Sequence, residues 1–448
     1  MTSQRPDRSS LNGAVDAALA AVHARQAVTD GVRFVDGALH VGGAAYDLTG
    51  YENVVLVGAG KAVIPMAAAL SEMFGERLAA GVVIAPKEKA AGASVERVRV
   101  LPGDHPVPGD ASFDSTGELI EFVRGYANER TFLLAALTGG ASALMSAPIG
   151  GLERDRKSAI VDALVRSGAP IDAINAVRRA LSLVKGGELA RLAAPARVVT
   201  LAVSDVPGNR PEDIGSGPTV LHADLESELD AALDAHPRLI DVLTSEEWDV
   251  VRRTLRERGE ERDDEDGAMP PPEDFHILAD NAAAVRAAAN ALEAQGAGVL
   301  VMDTPFVGSV EEVAARLGAV WRLWSEQHAG APAALVAGGE STVAIESEHG
   351  QGGRSHELAL RLAMELGEGE WAAACVGTDG DDGNSGAMGA FAGPDTIRRA
   401  AAANLDADHI LAAHDTARFF RDLGDQIPTR ETGTNVMDLV VIVGAAPA

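Results

Sequence analysis

One cysteine, Cys375, occurs in 448 residues. That excludes an intrachain disulfide and any thiolate zinc site, and within the apolar run from Trp371 to Val376 the residue reads as core. Basic residues are scarce too: 38 Lys and Arg face 66 Asp and Glu, a formal net charge of −28. A surface this negative repels phosphate backbones and anionic lipid, which argues against nucleic acid or a membrane as partner. Any anionic ligand must then be held by a local group of cations or by a metal. Lysine is rarer still. Only Lys61, Lys87, Lys89, Lys157 and Lys185 occur, and every other base is arginine. Few lysines among many carboxylates suggest a high-salt cytoplasm, although a GC-rich genome produces the same bias. On either account each lysine marks a position to inspect.

No apolar segment of signal-peptide type stands in Met1–Gly13, so none is expected. One uncharged stretch, Thr131 to Leu152, is long enough to span a bilayer. Gly139, Gly140, Ser142, Pro148, Gly150 and Gly151 interrupt it, which predicts a buried strand running into a glycine loop.

What is present is 46% hydrophobic, enough for a globular protein of two domains. Short apolar runs alternate with amphipathic, alanine-rich segments joined by glycine-rich turns, the pattern of an α/β fold with helices covering a parallel sheet. A first helix is expected over Leu11–Val28 and a hairpin at Asp36-Gly37. Strands follow at Val54–Val57, Val82–Ala85, Val98–Leu101, Phe132–Leu137 and Val198–Val203. Helices are expected after Lys61, after Pro108 and across Arg154–Leu192. The charged, proline-rich stretch Arg256–Asp274 reads as a solvated loop. A second α/β series then begins, with strands near His276–Ala279, Val299–Met302, Ala334–Ala337, Ala372–Val376 and Leu439–Val443. There is no internal repeat. Both halves end strands in glycine and a polar residue, and open α/β sheets bind ligands at the carboxyl ends of their strands.

Several of these strand ends carry chemistry. In Val54–Ala62 a strand, a glycine turn (Gly58, Gly60) and a helix start form an anion site to which Lys61 adds a charge; the third glycine of a dinucleotide fingerprint is missing. Leu134–Leu144 repeats the arrangement with Gly139, Gly140 and Ser142, a serine that could equally be a simple N-cap. If the segment from Ile174 is helical up to Gly186-Gly187, then Asn175, Arg178, Ser182 and Lys185 share one face at about 100° per residue. That stripe has two cations and no carboxylate, so a ligand-facing role competes with a solvated face. Asp205 follows an apolar strand, where Mg²⁺ or a substrate hydroxyl could reach it. Asp379, Asp381 and Asp382 repeat that situation. Arg354 begins a helix against the dipole, a poor arrangement for folding and a useful one for an anion. His105 sits in a loop braced by Pro106 and Pro108, where a structural role competes with a substrate contact.

Together and in order, these motifs resemble the class of glycerate kinases that make 2-phosphoglycerate, whose C-terminal part is the MOFRL domain. The resembling residues run from GAGKA at Gly58–Ala62 through HPVPGDAS at His105–Ser112, TGGASAL at Thr138–Leu144 and NAVRRALSLVKGGELA at Asn175–Ala190. They continue with SDVPGN at Ser204–Asn209, GSGPT at Gly215–Thr219, GGEST at Gly338–Thr342, GGRSHELAL at Gly352–Leu360, GTDGDDG at Gly377–Gly383 and GTNVMDL at Gly433–Leu439. The resemblance implies two α/β domains, the first Rossmann-like, with ATP and glycerate meeting in the cleft between them and Lys61 and Arg354 at the reaction centre. The chain departs from the family at His356, where glutamine is usual, and at Asn384-Ser385-Gly386, where a Pro-Thr-Asp run is usual.

The expectations are therefore a Rossmann-like domain over 51–235 and a C-terminal α/β domain with the MOFRL region over 236–448, residues 1–50 being a helix and hairpin with docking on the second domain left open. Lys61, Arg354 and Asp205 are the catalytic candidates. Gly58, Gly60, Gly139, Gly140, Ser142 and Lys185 are assigned to the nucleotide. His105, Arg178 and Asn175 are assigned to glycerate, Lys185 being an alternative for its carboxylate. Asp205, Asp379 and Asp382 are the candidate Mg²⁺ ligands, with Asp205 alternatively taking the glycerate hydroxyl proton. ATP and Mg²⁺ are the expected cofactors, the location cytoplasmic, and a homodimer the one assembly considered. Two other functions compete: an NAD(P)H-dependent hydroxypyruvate reductase, and a non-catalytic sensor of a nucleotide or sugar acid.

Overall fold

The computed structural model describes residues 8–222, 224–264, 271, 274–345 and 349–444. By contacts the chain forms two units. One runs from Ala27 to Leu278; the other takes the described chain up to Gln26 and resumes at Ala279. The change of unit thus falls at 278/279, later than position 235, and the described residues between 236 and 278 belong with the first unit.

The expected first helix is two, Arg8–Ala21 and Ala24–Gly31. The break at Val22-His23 has a cause: the Ala24 amide donates to the carbonyl of Gly433 instead of continuing the helix. The first of the two packs on helix Asn281–Glu293 in the same unit. In the other unit, β1 (Val32–Val35), β2 (Ala38–Val41) and β3 (Ala44–Asp47) form an antiparallel sheet. Asp36 and Gly37 turn the first hairpin with φ of 52° and 79°, the mirror-image turn that suits strand twist.

The main sheet of this unit contains β4 (Asn53–Ala59), β5 (Leu78–Pro86), β6 (Val98–Gly103), β7 (Thr131–Thr138), β8 (Arg197–Val203) and β9 (Phe275–Ala279), in the order β6-β5-β4-β7-β8-β9. The pairs from β6 to β8 are parallel. Helices Val63–Phe74 and Asp110–Tyr126 pack against it, so β4, β7 and β8 are almost wholly buried and read as continuous apolar runs rather than alternating ones. Strand order reverses between β4 and β7. In a Rossmann-like sheet that reversal opens a crevice at the carboxyl ends of the two strands.

Two expectations about this unit are corrected. Strand β9, which had looked like the start of the second series, is an edge of the first sheet beside β8. The stretch from Arg256 is helical as far as Asp264, because Trp248, Val251 and Leu255 on the same helix, Ser245–Asp264, sit in an apolar cluster. Residues 265–270 and 272–273 of the predicted loop lie outside the described residues.

The second unit is built on a mixed sheet: β10 (Gly298–Val301), β11 (Phe306–Ser309), β12 (Ala333–Thr342), β13 (Ala372–Gly377), β14 (Ala387–Ala392), β15 (Gln426–Pro428) and β16 (Asp438–Gly444). The order is β10-β12-β16-β13-β14-β15, with β11 also on β12. Strand β16 runs antiparallel between β12 and β13, which places Asp438 opposite Gly339 on one side and Gly377 on the other. Cys375 is buried in this core as expected. Among the described residues no helix is long and apolar enough to cross a membrane.

Candidate functional site

At the reversal between β4 and β7 two glycine turns are stitched together. The Lys61 amide donates to Gly139 O at 2.8 Å, the Ala62 amide to Thr138 Oγ1 at 3.1 Å, and the Gly60 amide to Ile84 O at 3.1 Å. A Cβ on Gly60 would stand 1.9 Å from Thr138 Oγ1, and one on Gly58 2.4 Å from Ala136 O. These glycines therefore permit close packing of strands, and the first turn's amides already have protein acceptors. The phosphate cradle expected at Gly58 and Gly60 is not formed by those N–H groups; the turn contributes the Lys61 side chain.

The second turn differs. Gly140 is left-handed (φ 85°), and the amides of Gly140, Ala141 and Ser142 have no acceptor among the described residues. Successive open amides of this kind bind anions. Lys61 lies beside them: a Cβ on Gly140 would be 3.2 Å from Lys61 Cγ and 3.1 Å from His105 Cδ2. Lys61, His105 and the Gly140–Ser142 turn are thus one cluster. Lys89 joins it, with Nζ donating to Lys61 O at 3.4 Å. Asp205 stands past the end of β8, at the same edge of the sheet.

The predicted polar stripe is overturned. The helix Ile171–Ala180 ends before Ser182 and Lys185, because Leu181 and Leu183 leave it to pair with Ile149 and Ala147. Asn175 is buried: its Nδ2 donates to Asp213 Oδ1 at 3.2 Å and its Oδ1 accepts from Ser216 Oγ at 3.3 Å. Ser216 Oγ in turn lies 2.9 Å from Ser142 Oγ, so Ser142 is no N-cap; it ties the amide turn to Ser216. Ser216 sits at φ 63° between two left-handed glycines, a strained non-glycine conformation of the kind that collects at functional sites. No sequence pattern pointed to it. Lys185, 2% exposed, donates to Met145 O at 2.9 Å, and burial, helped by the charge of Arg178, pulls its pKa down to about 7. Burial lowers the pKa of Arg178 as well.

In the other unit, Arg354 begins the helix Arg354–Leu366 as expected. Its guanidinium pairs with Glu340 at the end of β12 and with Asp438 Oδ1 at 3.3 Å. Burial opposes its charge, yet Asp438 and Glu340 hold its pKa above the ordinary arginine value. Asp438 is 4% exposed; burial, opposed by Arg354 and reinforced by Glu340, Asp382 and Asp379, pushes its pKa up to about 7. The loop before it is fixed by Asn281, which donates to Val436 O and Asp438 O, and by Thr378, whose Oγ1 donates to Met437 O. Asp382 accepts from the amides of Ser355 and His356 (3.0 and 2.9 Å) and from His356 Nδ1 at 2.6 Å. It caps the start of the Arg354 helix, with both oxygens engaged in hydrogen bonds. Asp379 stands at the end of β13 and accepts from the Asp381 amide at 3.2 Å. Among the described residues no three His, Cys, Asp or Glu gather as a metal cage would require.

Asp438 and Glu340 were not singled out in the sequence; the signal that could have found Asp438 is its place after GTNVM at the head of an apolar run. Lys157 was marked only by the scarcity of lysine.

An open parallel sheet with a lysine and an amide-lined turn at its strand-order reversal is the arrangement of an α/β protein that holds a small anion at the carboxyl edge of the sheet. Comparison with known proteins agrees. Residues 10–241 match a domain family of unknown function, DUF4147, and residues 333–438 match the MOFRL family. A glycerate kinase of Danio rerio is 33% identical over 95% of this chain and 95% of its own. An Agrobacterium vitis protein provisionally named hydroxypyruvate reductase is 35% identical over 87% of this chain and 98% of its own. The crystal structure of a glycerate kinase from Thermotoga maritima superposes with a TM-score of 0.78 at 27% identity, covering 98% of this chain and 99% of that one. The chain belongs to the glycerate 2-kinase family with a C-terminal MOFRL domain.

Proposed function

We propose that the protein transfers the γ-phosphoryl group of ATP to D-glycerate, yielding 2-phosphoglycerate and ADP. The observation that supports it is the cluster at the β4/β7 reversal: a lysine beside three amides with no acceptor among the described residues, in a chain whose relatives include glycerate kinases. Phosphoryl transfer needs positioning and neutralisation of charge more than covalent chemistry. Lys61 and the Gly140–Ser142 amides hold phosphate oxygens. The glycerate hydroxyl oxygen bonds to phosphorus as the bond to the bridging oxygen of ADP breaks, and the hydroxyl proton passes to Asp205. His105, beside Lys61, contacts the substrate. Asn175 acts indirectly, by holding Ser216 and through it Ser142.

Mg²⁺ typically keeps several waters and binds one or two carboxylates together with substrate phosphates, so a single carboxylate beside an anion-binding turn fits it. Asp205, where it does not take the hydroxyl proton, would hold it. When bound, it would offset charge on the phosphate oxygens.

A coupled assay with ATP, Mg²⁺ and D-glycerate, the product resolved as 2- or 3-phosphoglycerate, tests the reading. Lys61→Ala should lower turnover on the order of 10³-fold with an unchanged unfolding midpoint; near-parental turnover by that variant sinks the assignment. Because two relatives carry a hydroxypyruvate reductase name, NADH and NADPH consumption with hydroxypyruvate is the matched control, and reduction in place of phosphorylation selects the second reading.

A further inference from the structure

Two of the five lysines are almost fully buried in the same place. Lys157, on helix Arg154–Arg166, is 1% exposed and donates to Leu181 O at 2.5 Å; Lys185 is 2% exposed and donates to Met145 O. Arg258, on helix Ser245–Asp264, is also buried and donates to Ser182 O at 2.9 Å, next to the carbonyl that Lys157 uses. Arg178 is close enough to depress the pKa of both lysines, and it alone of the four retains appreciable exposure.

Buried charges are nearly always paired. Lys157, Arg178 and Lys185 have no carboxylate partner among the described residues, and Arg178 makes no hydrogen bond there at all. Arg258 pairs with Glu188 at 3.9 Å, a carboxylate shared with Arg191 at 3.5 Å. Each ammonium has three donors and gives one to a carbonyl. If the lysines served only those carbonyls, a neutral donor would suffice, and Arg178, which cannot give up its proton, would have no task. In a chain of net charge −28, three cations with no carboxylate partner among the described residues, beside a fourth that shares one carboxylate, make a deficit of negative charge at one point.

We propose that Lys157, Arg178, Lys185 and Arg258 form an anion-binding subsite for a small oxyanion, a carboxylate or a phosphate group, with Arg178 at its mouth. The bound anion supplies the missing counter-charge and takes up donors that the protein leaves unused. Lys157 and Arg258 thereby acquire a role that the motif around Lys61 does not include. The subsite stands on burial and charge alone and is independent of the kinase reading.

Binding is measured by titration calorimetry in chloride with inorganic phosphate, D-glycerate and a non-hydrolysable ATP analogue, glycerol serving as the uncharged control. The parent should bind at least one of the three anions and not glycerol. Arg178→Met, which removes a side chain with no hydrogen bond among the described residues and so should fold normally, should weaken that binding about tenfold or more. Arg178→Lys should recover part of the loss. Tighter binding of D-glycerate than of phosphate identifies a carboxylate pocket, and the reverse a phosphate pocket. A parent that binds none of the three, or an Arg178→Met protein with unchanged affinity for all of them, overturns the subsite. If the Arg178→Met protein has unchanged affinities and still phosphorylates glycerate, the subsite fails and the kinase reading survives. Loss of anion binding in Arg178→Met, in a parent that never phosphorylates glycerate, is the converse.

Discussion

Replacing Lys185 with methionine should change how stability depends on pH. In the folded chain burial, assisted by Arg178, takes this lysine from its ordinary pKa of 10.5 to about 7. Below about pH 7 the ammonium is charged in both folded and unfolded chains, and its burial costs about 5 kcal/mol. Between about pH 7 and 10.5 only the unfolded chain keeps the proton, so stability rises with pH, by up to about 1.4 kcal/mol per pH unit, and levels off above that window. Lys185→Met fills a similar volume and carries no proton. It loses the hydrogen bond to Met145 O, a loss of about 1–3 kcal/mol that does not vary with pH. The variant should therefore be more stable than the parent near pH 7 and lose that advantage toward pH 10. Urea midpoints of both proteins between pH 6.5 and 10, in chloride without phosphate or carboxylate buffers, measure the difference. Lys157, whose pKa burial also pulls well below its ordinary value, keeps some slope in the variant, so the profiles should converge gradually. Parallel profiles would refute the reasoning, since Lys185 would then titrate alike in both states.

Gly60→Ala should lower stability by about 2–5 kcal/mol, read as a denaturant midpoint, because its Cβ would meet Thr138 at 1.9 Å and its φ is 144°. Gly117→Ala, in a helix with nothing within 4 Å of the new Cβ, is the control and should be neutral or stabilising by up to about 1 kcal/mol. Asp382→Ala removes the acceptor for two amides at the start of the Arg354 helix and for a buried histidine. A loss of about 2 kcal/mol or more is expected by the same measurement, and no loss would mean the capping bonds carry little. For Asp438 the sign is opposite to that of Lys185. Its folded pKa of about 7 lies above the ordinary 3.8, so the folded chain binds the extra proton and stability falls as pH rises from about 4 to 7. Asp438→Asn should flatten that fall in denaturation profiles from pH 4 to 8; an equally steep variant would rule the titration out.

The strands of the first sheet were readable because burial on both faces demands unbroken apolar runs, and a turn such as Asp36-Gly37 declares its geometry locally. The helix breaks were not readable. Nothing near Val22 shows that Ala24 will bond to Gly433, more than four hundred residues away, and nothing near Leu181 shows that it will pair with Ile149. At the site, Lys61 and the glycines around it were legible as a motif. Which turn keeps its amides open was not, because that depends on whether Gly139 and Thr138 arrive to accept from Lys61 and Ala62.

By itself the sequence determined that the chain is an α/β protein and which family it belongs to, since composition, spacing and ordered motifs are properties of the covalent chain. Only tertiary structure decided what each of those groups does. It set Asp382 against the start of a helix and made Asn175 a support for Ser216, and it gathered Lys157, Arg178, Lys185 and Arg258 from three helices and a loop. The reason is physical: desolvation and the partner of each polar atom depend on neighbours that the chain brings together from far along its length, and no local pattern encodes them.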